Sequence, residues 1–150
     1  MRLSRRLTSR PRRTVRKRRV TAWLPSFITA LITALKTAPR SEEALRAIAD
    51  FTDASEHPDQ ALSFYTRLCA EYPQTPTYHY ELARQYARRK DWPRVFQTGR
   101  EALHLNPFLA EARAALAVAH EETGERRRAE AEWRLVGVLD PQLRKALGPR

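Results

Sequence analysis

The stretch AEARAALAVAHEETGERRRAEAEWRLVGVLDP, residues 110–141, decides the fold of this chain. It consists of two segments rich in Ala, Leu, Arg and Glu that flank a turn at Gly124, and it ends on Pro141. Three further prolines precede Pro141 at intervals of 34 residues, at positions 107, 73 and 39. Proline ends a helix because it lacks an amide proton and its ring clashes with the preceding turn. This regular spacing predicts a repeated helical unit.

The composition favours helix over strand. The 150 residues are enough for one domain with its own core, and glycine is scarce at four. Ala, Leu, Arg and Glu, which dominate the chain, are all compatible with helix. No alternating run of β-branched residues lies between turn signals, so we predict an all-α fold without a sheet.

Equivalent side chains recur at equivalent places in successive 34-residue intervals. Ala61 and Tyr65 occupy the places that Ala129 and Trp133 occupy two intervals later. Each interval predicts a helical hairpin that cannot bury its apolar face alone, and stacking of the hairpins makes a continuous core. The predicted helices cover residues 42–54, 58–72, 76–89, 92–106, 110–122 and 126–140.

The pattern resembles the tetratricopeptide repeat family, whose unit is a 34-residue helix–turn–helix hairpin. Leu82, Ala83 and Tyr86 are similar to the signature of the first helix, and Ala129 and Trp133 are similar to that of the second. The resemblance implies a right-handed α-solenoid that binds another protein and catalyses no reaction. It divides residues 40–150 into three repeats, 42–75, 76–109 and 110–143, with a short C-terminal tail.

The segment 24–39 is in phase with the repeats, but no recognisable first helix precedes it. Phe27, Leu31 and Leu35 recur on one face, as they would in the second helix of a repeat. We therefore predict a half-repeat that caps the N-terminal end of the solenoid, with a helix lying on a membrane surface as the alternative. The apolar run is about fifteen residues long, shorter than the roughly 20 that a bilayer requires.

Residues 1–23 form a basic arm. Residues 1–41 contain twelve Lys and Arg and no Asp or Glu, whereas residues 42–150 contain sixteen against seventeen. We expect such an arm to be disordered unless a partner holds it. A membrane surface, nucleic-acid phosphates and a targeting role all remain open as explanations of the charge. The residues expected to contact a polyanion or a membrane surface are Arg5, Arg6, Arg12, Arg13, Arg16, Lys17, Arg18, Arg19 and Trp23.

The resemblance also implies a partner-binding groove that is lined by the first helix of each repeat. Arg84 and Arg88 lie one helical turn apart and are spaced to hold a carboxylate near Tyr80. This arrangement predicts a partner segment with an acidic side chain or a C-terminal carboxylate. The groove residues carried over from the family are Arg46, Asp50, Tyr80, Arg84, Arg88 and Val118.

No catalytic or metal-binding motif stands out in the sequence. His57, His79, His104 and His120 lack the spacing of a metal-binding helix, and the isolated glycines form no phosphate loop. Cys69 is the single thiol, and we expect it to be a small buried apolar residue. We therefore predict a scaffold without a cofactor, tethered to a membrane or to a membrane complex or other assembly. A cytoplasmic factor associated with nucleic acid, on a ribosome or on DNA, is the alternative.

Overall fold

The structure is a computed structural model that describes residues 24–54 and 57–148, with the backbone alone for residues 24–28. The basic arm, with its candidate cations and Trp23, lies outside the described residues. Within the described ranges the chain forms only helices, namely α1 (Leu24–Thr37), α2 (Glu42–Ala54), α3 (Pro58–Glu71), α4 (Pro76–Arg88), α5 (Trp92–Leu105), α6 (Ala110–Glu122), α7 (Arg126–Leu139) and α8 (Pro141–Leu147).

The predicted all-α solenoid of helical hairpins is confirmed. Each of the six repeat helices begins at the predicted residue and ends within one residue of the predicted end. Pro58, Pro76 and Pro93 lie in the first turns of α3, α4 and α5, where a missing amide proton leaves no hydrogen bond unmade. The hairpins pair α2 with α3, α4 with α5 and α6 with α7, and each hairpin packs on the next.

The turns inside the second and third repeats each contain a residue in the left-handed region of backbone space. Gly124 is this residue between α6 and α7, with a φ of 81°. Lys90 occupies the same place 34 residues earlier and adopts a φ of 57°, the one positive φ of a non-glycine residue in the described chain. A side chain in this region costs roughly 1–2 kcal/mol, so the second repeat tolerates strain that glycine spares the third.

Two clusters of buried side chains lie toward the ends of the solenoid, and further buried residues such as Val95 and Leu116 lie between them. Tyr65, which is 1% exposed, packs with Leu45 and Leu82 in the first cluster. Trp133, which is 2% exposed, packs with Ala117 and Val136 in the second. Tyr65 and Trp133 therefore fill equivalent spaces inside the first and third hairpins, as the sequence predicts.

The second hairpin fills this space differently. Gly99 stands where Tyr65 and Trp133 stand in the neighbouring repeats. A Cβ atom at Gly99 would lie 2.7 Å from Cδ2 of Leu116, closer than packed carbon atoms approach. The departure from the repeat pattern thus has a packing cause, because Leu116 of α6 occupies the volume that an aromatic ring takes elsewhere.

Helix α1 caps the N-terminal end of the solenoid, as predicted for a half-repeat. It packs on α2, and Leu35 lies against the first core cluster. Leu31 is half-buried, whereas Ile32 on the outer side is 46% exposed. The apolar stripe is therefore partly committed to the body of the protein. In the described part of the chain, no helix combines the length and the apolar character needed to cross a bilayer.

The C-terminal tail forms the short helix α8. Pro141 ends α7 and at the same time begins α8, and the side chain of Asp140 accepts a hydrogen bond from the amide of Leu143 over 2.9 Å. Leu143 packs on the second core cluster, whereas Leu147 is 57% exposed. Val138 on α7 is also exposed, so α8 covers only part of this end.

Candidate partner-binding groove

The first helices of the three repeats, α2, α4 and α6, lie side by side and present one row of side chains. Helix α4 contacts α6 directly, and side-chain contacts join α2 to α4. The hydroxyl of Tyr78 on α4, for example, donates a hydrogen bond to Oε1 of Glu42 on α2 over 2.6 Å. The sequence predicts a partner-binding groove along this row, and the chemistry of the row changes from one helix to the next.

Asp53, at the end of α2, is the centre of the polar contacts in the groove. Nη2 of Arg84 lies 2.7 Å from Oδ2 of Asp53, and Arg88 donates to Oδ1 of the same carboxylate. The amide of Gln85, which is fully buried, donates to Oδ1 over 2.8 Å. The two arginines are thus brought together around a carboxylate as their spacing suggests, but the carboxylate belongs to the chain itself.

The carboxylates of this network differ in their tendency to ionise. Burial raises the pKa of Asp53, but the hydrogen bond from Gln85 and the charges of Arg84 and Arg88 outweigh it and hold the pKa below its ordinary value. Burial raises the pKa of Glu81 above its ordinary value, although Nη2 of Arg84 lies 2.7 Å away. Arg84 therefore contacts two carboxylates, Asp53 and Glu81. Asp53 is the better stabilised anion, because its pKa is lowered whereas that of Glu81 is raised.

The other predicted groove residues have separate environments. Asp50 accepts a hydrogen bond from the hydroxyl of Tyr65 over 2.8 Å, and Nε of Arg46 lies 3.7 Å from its Oδ2. Tyr80 and Val118, the least polar residues of the predicted set, are half-buried, and Val118 packs against the second core cluster. Burial raises the pKa of the Tyr80 hydroxyl above its ordinary value of 10.0.

The third repeat contributes mainly negative charge. Glu111 and Glu122 on α6 are exposed and form no ion pair with any described residue. Glu121, next to Glu122, accepts a hydrogen bond from the indole N–H of Trp133 over 2.8 Å. Ala114, at a place that lines the groove in the family, is only 3% exposed because it packs in the second core cluster.

Gln85 is the residue of this network that sequence reasoning missed, whereas the repeat register puts Asp53 and Glu121 at groove-lining positions without showing what they contact. Their partners lie 12 to 35 positions away along the chain. The register of the repeats is the signal that identifies the contacts of Asp53. The first helices of neighbouring repeats lie side by side, so the last turn of α2, with Asp53, lies beside the last turns of α4, with Arg84 and Arg88.

These contacts define an α-helical solenoid of stacked hairpins with a polar groove along its first helices. Among the side chains described, no group of three or more His, Cys, Asp or Glu residues converges as a metal site would. No family model matches the sequence, and no curated protein sequence is significantly similar to it.

The fold itself is that of a tetratricopeptide-repeat domain. The Arabidopsis OM64 TPR domain is similar with a TM-score of 0.65 and 20% identity over 68% of this chain and 84% of that one. A crystal structure of MamA is similar with a TM-score of 0.73 and 18% identity over 83% and 73%. The first TPR of Spaghetti (RPAP3), bound to the HSP90 peptide SRMEEVD, is similar with a TM-score of 0.64 and 20% identity over 67% and 79%.

Proposed function

We propose that this chain is a non-catalytic scaffold whose groove along α2, α4 and α6 binds a segment of another protein. The observation that carries the proposal is the row of side chains along α2, α4 and α6, in which the half-buried Tyr80 and Val118 lie among charged residues. Apolar contacts supply most of the affinity of such interfaces, and the charges around them supply specificity. The first TPR of Spaghetti, which has a similar fold, is bound to a peptide.

The contacts around Asp53 limit which partners fit the groove. An acidic side chain or a C-terminal carboxylate would have to displace Asp53 from Arg84 and Arg88, which already satisfy its oxygen atoms. In the third repeat, by contrast, Glu111 and Glu122 are exposed without a cation among the described side chains. A partner segment that places cations over α6 therefore complements the groove without breaking an existing contact.

Partner capture by the full-length chain tests the groove. We expect the double substitution of Tyr80→Ser and Val118→Ser to lose captured partners. The matched control replaces an aromatic residue and a valine outside the groove, Phe108→Ser and Val138→Ser, which are 76% and 81% exposed. Capture that survives the groove substitutions but fails in the control would place the interface at the exposed apolar residues instead.

We further propose that the basic arm and the start of α1 tether this scaffold to an anionic membrane surface or to a membrane complex. The change from charged to apolar residues occurs directly at Trp23, and tryptophan is enriched at membrane–water boundaries. The twelve cations of residues 1–41 supply electrostatic attraction, and the apolar residues after the arm supply buried area.

The behaviour of membranes washed with concentrated salt tests the tether. If the tether has an apolar part, the chain should stay on the membrane pellet after the wash. The double substitution of Phe27→Ser and Leu31→Ser removes that apolar part and should release the chain. Complete release by salt would contradict the apolar tether. Digestion with nuclease distinguishes the second candidate, binding of nucleic-acid phosphates by the arm. The packing of Leu35 on the body favours this alternative, because phosphate binding needs no apolar residue of α1.

A further inference from the structure

The turns inside the three repeats lie together at one edge of the solenoid, which we call the intra-repeat edge. This edge contains the ends of α2, α4 and α6 and the starts of α3, α5 and α7. Helix α1 is joined to α2 by residues 38–41 alone, so the two helices are antiparallel and α1 begins where α2 ends. The basic arm therefore enters the described body at the intra-repeat edge.

Three cations of this edge have no carboxylate partner among the described residues. Lys90 follows α4, whereas Arg126 and Arg127 begin α7. All three residues are exposed. The exposed Glu121 and Glu122, in the last turn of α6, offset two of these charges. The remaining arginines of the edge are neutralised in ion pairs, Arg88 with Asp53, Arg89 with Asp59, Arg94 with Asp91 and Arg128 with Glu125.

The positions of these cations oppose the local preferences of the backbone. Lys90 has a positive φ at the place where the next repeat has Gly124. Arg126 and Arg127 lie in the first turn of α7, beside the positive end of the helix dipole, where acidic residues are favoured. Residues that depart from local preference are expected where they serve binding.

An aromatic residue accompanies the cations. Trp92 begins α5 two residues after Lys90 and is half-buried. Tryptophan beside Lys or Arg is typical of the boundary between a membrane and water, where the ring lies at the level of the headgroups. The apolar start of α1 lies at the same edge, directly after the arm. Nucleic-acid phosphates would use the cations alone, so the combination favours lipid headgroups.

We propose that the intra-repeat edge contacts the anionic lipid headgroups of a membrane through Lys90, Arg126 and Arg127. This inference rests on the proposed tether and deepens it, because it states which edge of the solenoid faces the bilayer. The arm and the three cations then act on one surface. Tyr80 and Val118 of the groove lie within α4 and α6 rather than at the ends of these helices, so this part of the groove stays accessible to a protein partner while the chain is bound.

Sedimentation of the full-length chain with vesicles tests the proposal. The vesicles contain 30% phosphatidylserine in phosphatidylcholine, with pure phosphatidylcholine as the neutral reference. The edge variant carries Lys90→Asn, Arg126→Gln and Arg127→Gln. The control variant carries Lys36→Gln, Arg134→Gln and Lys145→Gln, which lose the same charge at exposed residues away from the edge. Each cation near such a surface contributes about 1 kcal/mol, a factor of about five, so the edge variant should bind about 100-fold more weakly.

The control variant should lose less than about fivefold in binding, since its cations lie away from the surface. The edge variant should melt no lower than the parent chain. Asn tolerates a positive φ at position 90, and the two substitutions in α7 remove positive charge from the positive end of the helix dipole. Equal losses in both variants, or none in the edge variant, would overturn the inference while leaving the tether intact. If the edge variant lost binding to a 30-base-pair DNA duplex but kept its binding to the vesicles, the edge would be assigned to nucleic acid instead. A parent chain that binds neither vesicle contradicts the tether itself.

Discussion

The indole N–H of Trp133 on α7 donates a hydrogen bond to Oε1 of Glu121 on α6 over 2.8 Å. The hydroxyl of Tyr65 on α3 donates in the same way to Oδ1 of Asp50 on α2, also over 2.8 Å. In the first and third hairpins, a buried aromatic side chain thus donates a hydrogen bond to a carboxylate of the paired helix. The ring fills the core while the carboxylate fixes its orientation.

Removal of the ring of Trp133 should destabilise the third hairpin. Trp133→Ala should lower the free energy of unfolding by about 3–5 kcal/mol, the usual range for a buried aromatic residue. Trp133→Phe retains most of the packing and loses the hydrogen bond to Glu121, so its cost should be smaller, although still measurable. Urea unfolding followed by circular dichroism measures both. A Trp133→Ala variant as stable as the parent would contradict the burial of this side chain.

Gly99 and Gly137 should respond oppositely to the same substitution. Gly99→Ala forces a Cβ atom against Cδ2 of Leu116 at 2.7 Å, and overpacking of this kind typically costs about 1–3 kcal/mol. Gly137→Ala meets only Cγ of Arg144 at 3.6 Å, an ordinary contact, and should stabilise α7 by up to about 1 kcal/mol through helix propensity. Thermal melting compares the two directly. Similar shifts of the melting temperature would show that Leu116 moves aside without cost.

Asp53→Asn should destabilise the junction of the first two repeats in a pH-dependent manner. The pKa of Asp53 in the folded chain lies below its ordinary value of 3.8, so its stabilising contribution is fully present above that value. As the pH falls through the folded-state pKa, the contribution is lost. We expect a cost of about 1–3 kcal/mol at neutral pH, typical of hydrogen bonds to a charged group.

The difference in stability between Asp53→Asn and the parent should therefore shrink as the pH is lowered below about 3.8. Asp59→Asn is the matched control, since Asp59 also pairs with an arginine but its side chain is 97% exposed. Exposed pairs contribute about 0–1 kcal/mol. Equal costs for the two substitutions at neutral pH would contradict the central place of Asp53 in the network.

The cap formed by α1 should depend on Leu35 and not on Ile32. Leu35→Ala removes packing from the first core cluster and should cost about 1–2 kcal/mol, less than the 2–5 kcal/mol of a fully buried leucine. Ile32→Ala changes a side chain that is 46% exposed and should leave the melting temperature nearly unchanged. The reverse order would mean that α1 packs through its other face.

Cys69 should react slowly with thiol reagents in the folded chain. Burial raises the pKa of its thiol to about 12, so little thiolate is present at pH 8. A Ser63→Cys variant in a Cys69→Ser background places a thiol at an exposed position of the same helix and should react much faster. Absorbance measurements of reagent release check the two rates. Equal rates in native buffer would show that Cys69 is accessible.

The helices could be predicted from the sequence because their signals are local. Prolines at 34-residue intervals mark the ends of the second helices, and Pro58 and Pro93 mark two of their beginnings. The short helix α8 was not predicted, because Pro141 both ends α7 and begins α8 with Asp140 as its cap. The 34-residue spacing shows that a helix ends at Pro141, but it does not show that another helix begins there.

The groove could be predicted only in part. Its general position follows from the repeat register, but its electrostatics depend on contacts between repeats. Arg84 and Arg88 suggest an acidic partner when α4 is considered alone, whereas the structure places Asp53 between them. Whether a cationic side chain is available to a partner depends on the neighbouring helix, and the periodicity of one helix carries no information about that.

The two junctions between repeats differ in chemistry. Between the first and second repeats, Asp53 holds Arg84 and Arg88, and Asp59 lies 2.7 Å from Arg89. Between the second and third, the described side chains of α4 and α5 form no ion pair with those of α6 and α7, and Leu116 packs over Gly99 instead. Dissolved ions screen the first kind of contact, whereas sulfate and similar salts strengthen the second. The first junction thus combines ion pairs with apolar packing of Tyr65 on Leu82, whereas the second depends on packing alone among the described side chains. Added salt should therefore weaken the first junction relative to the second.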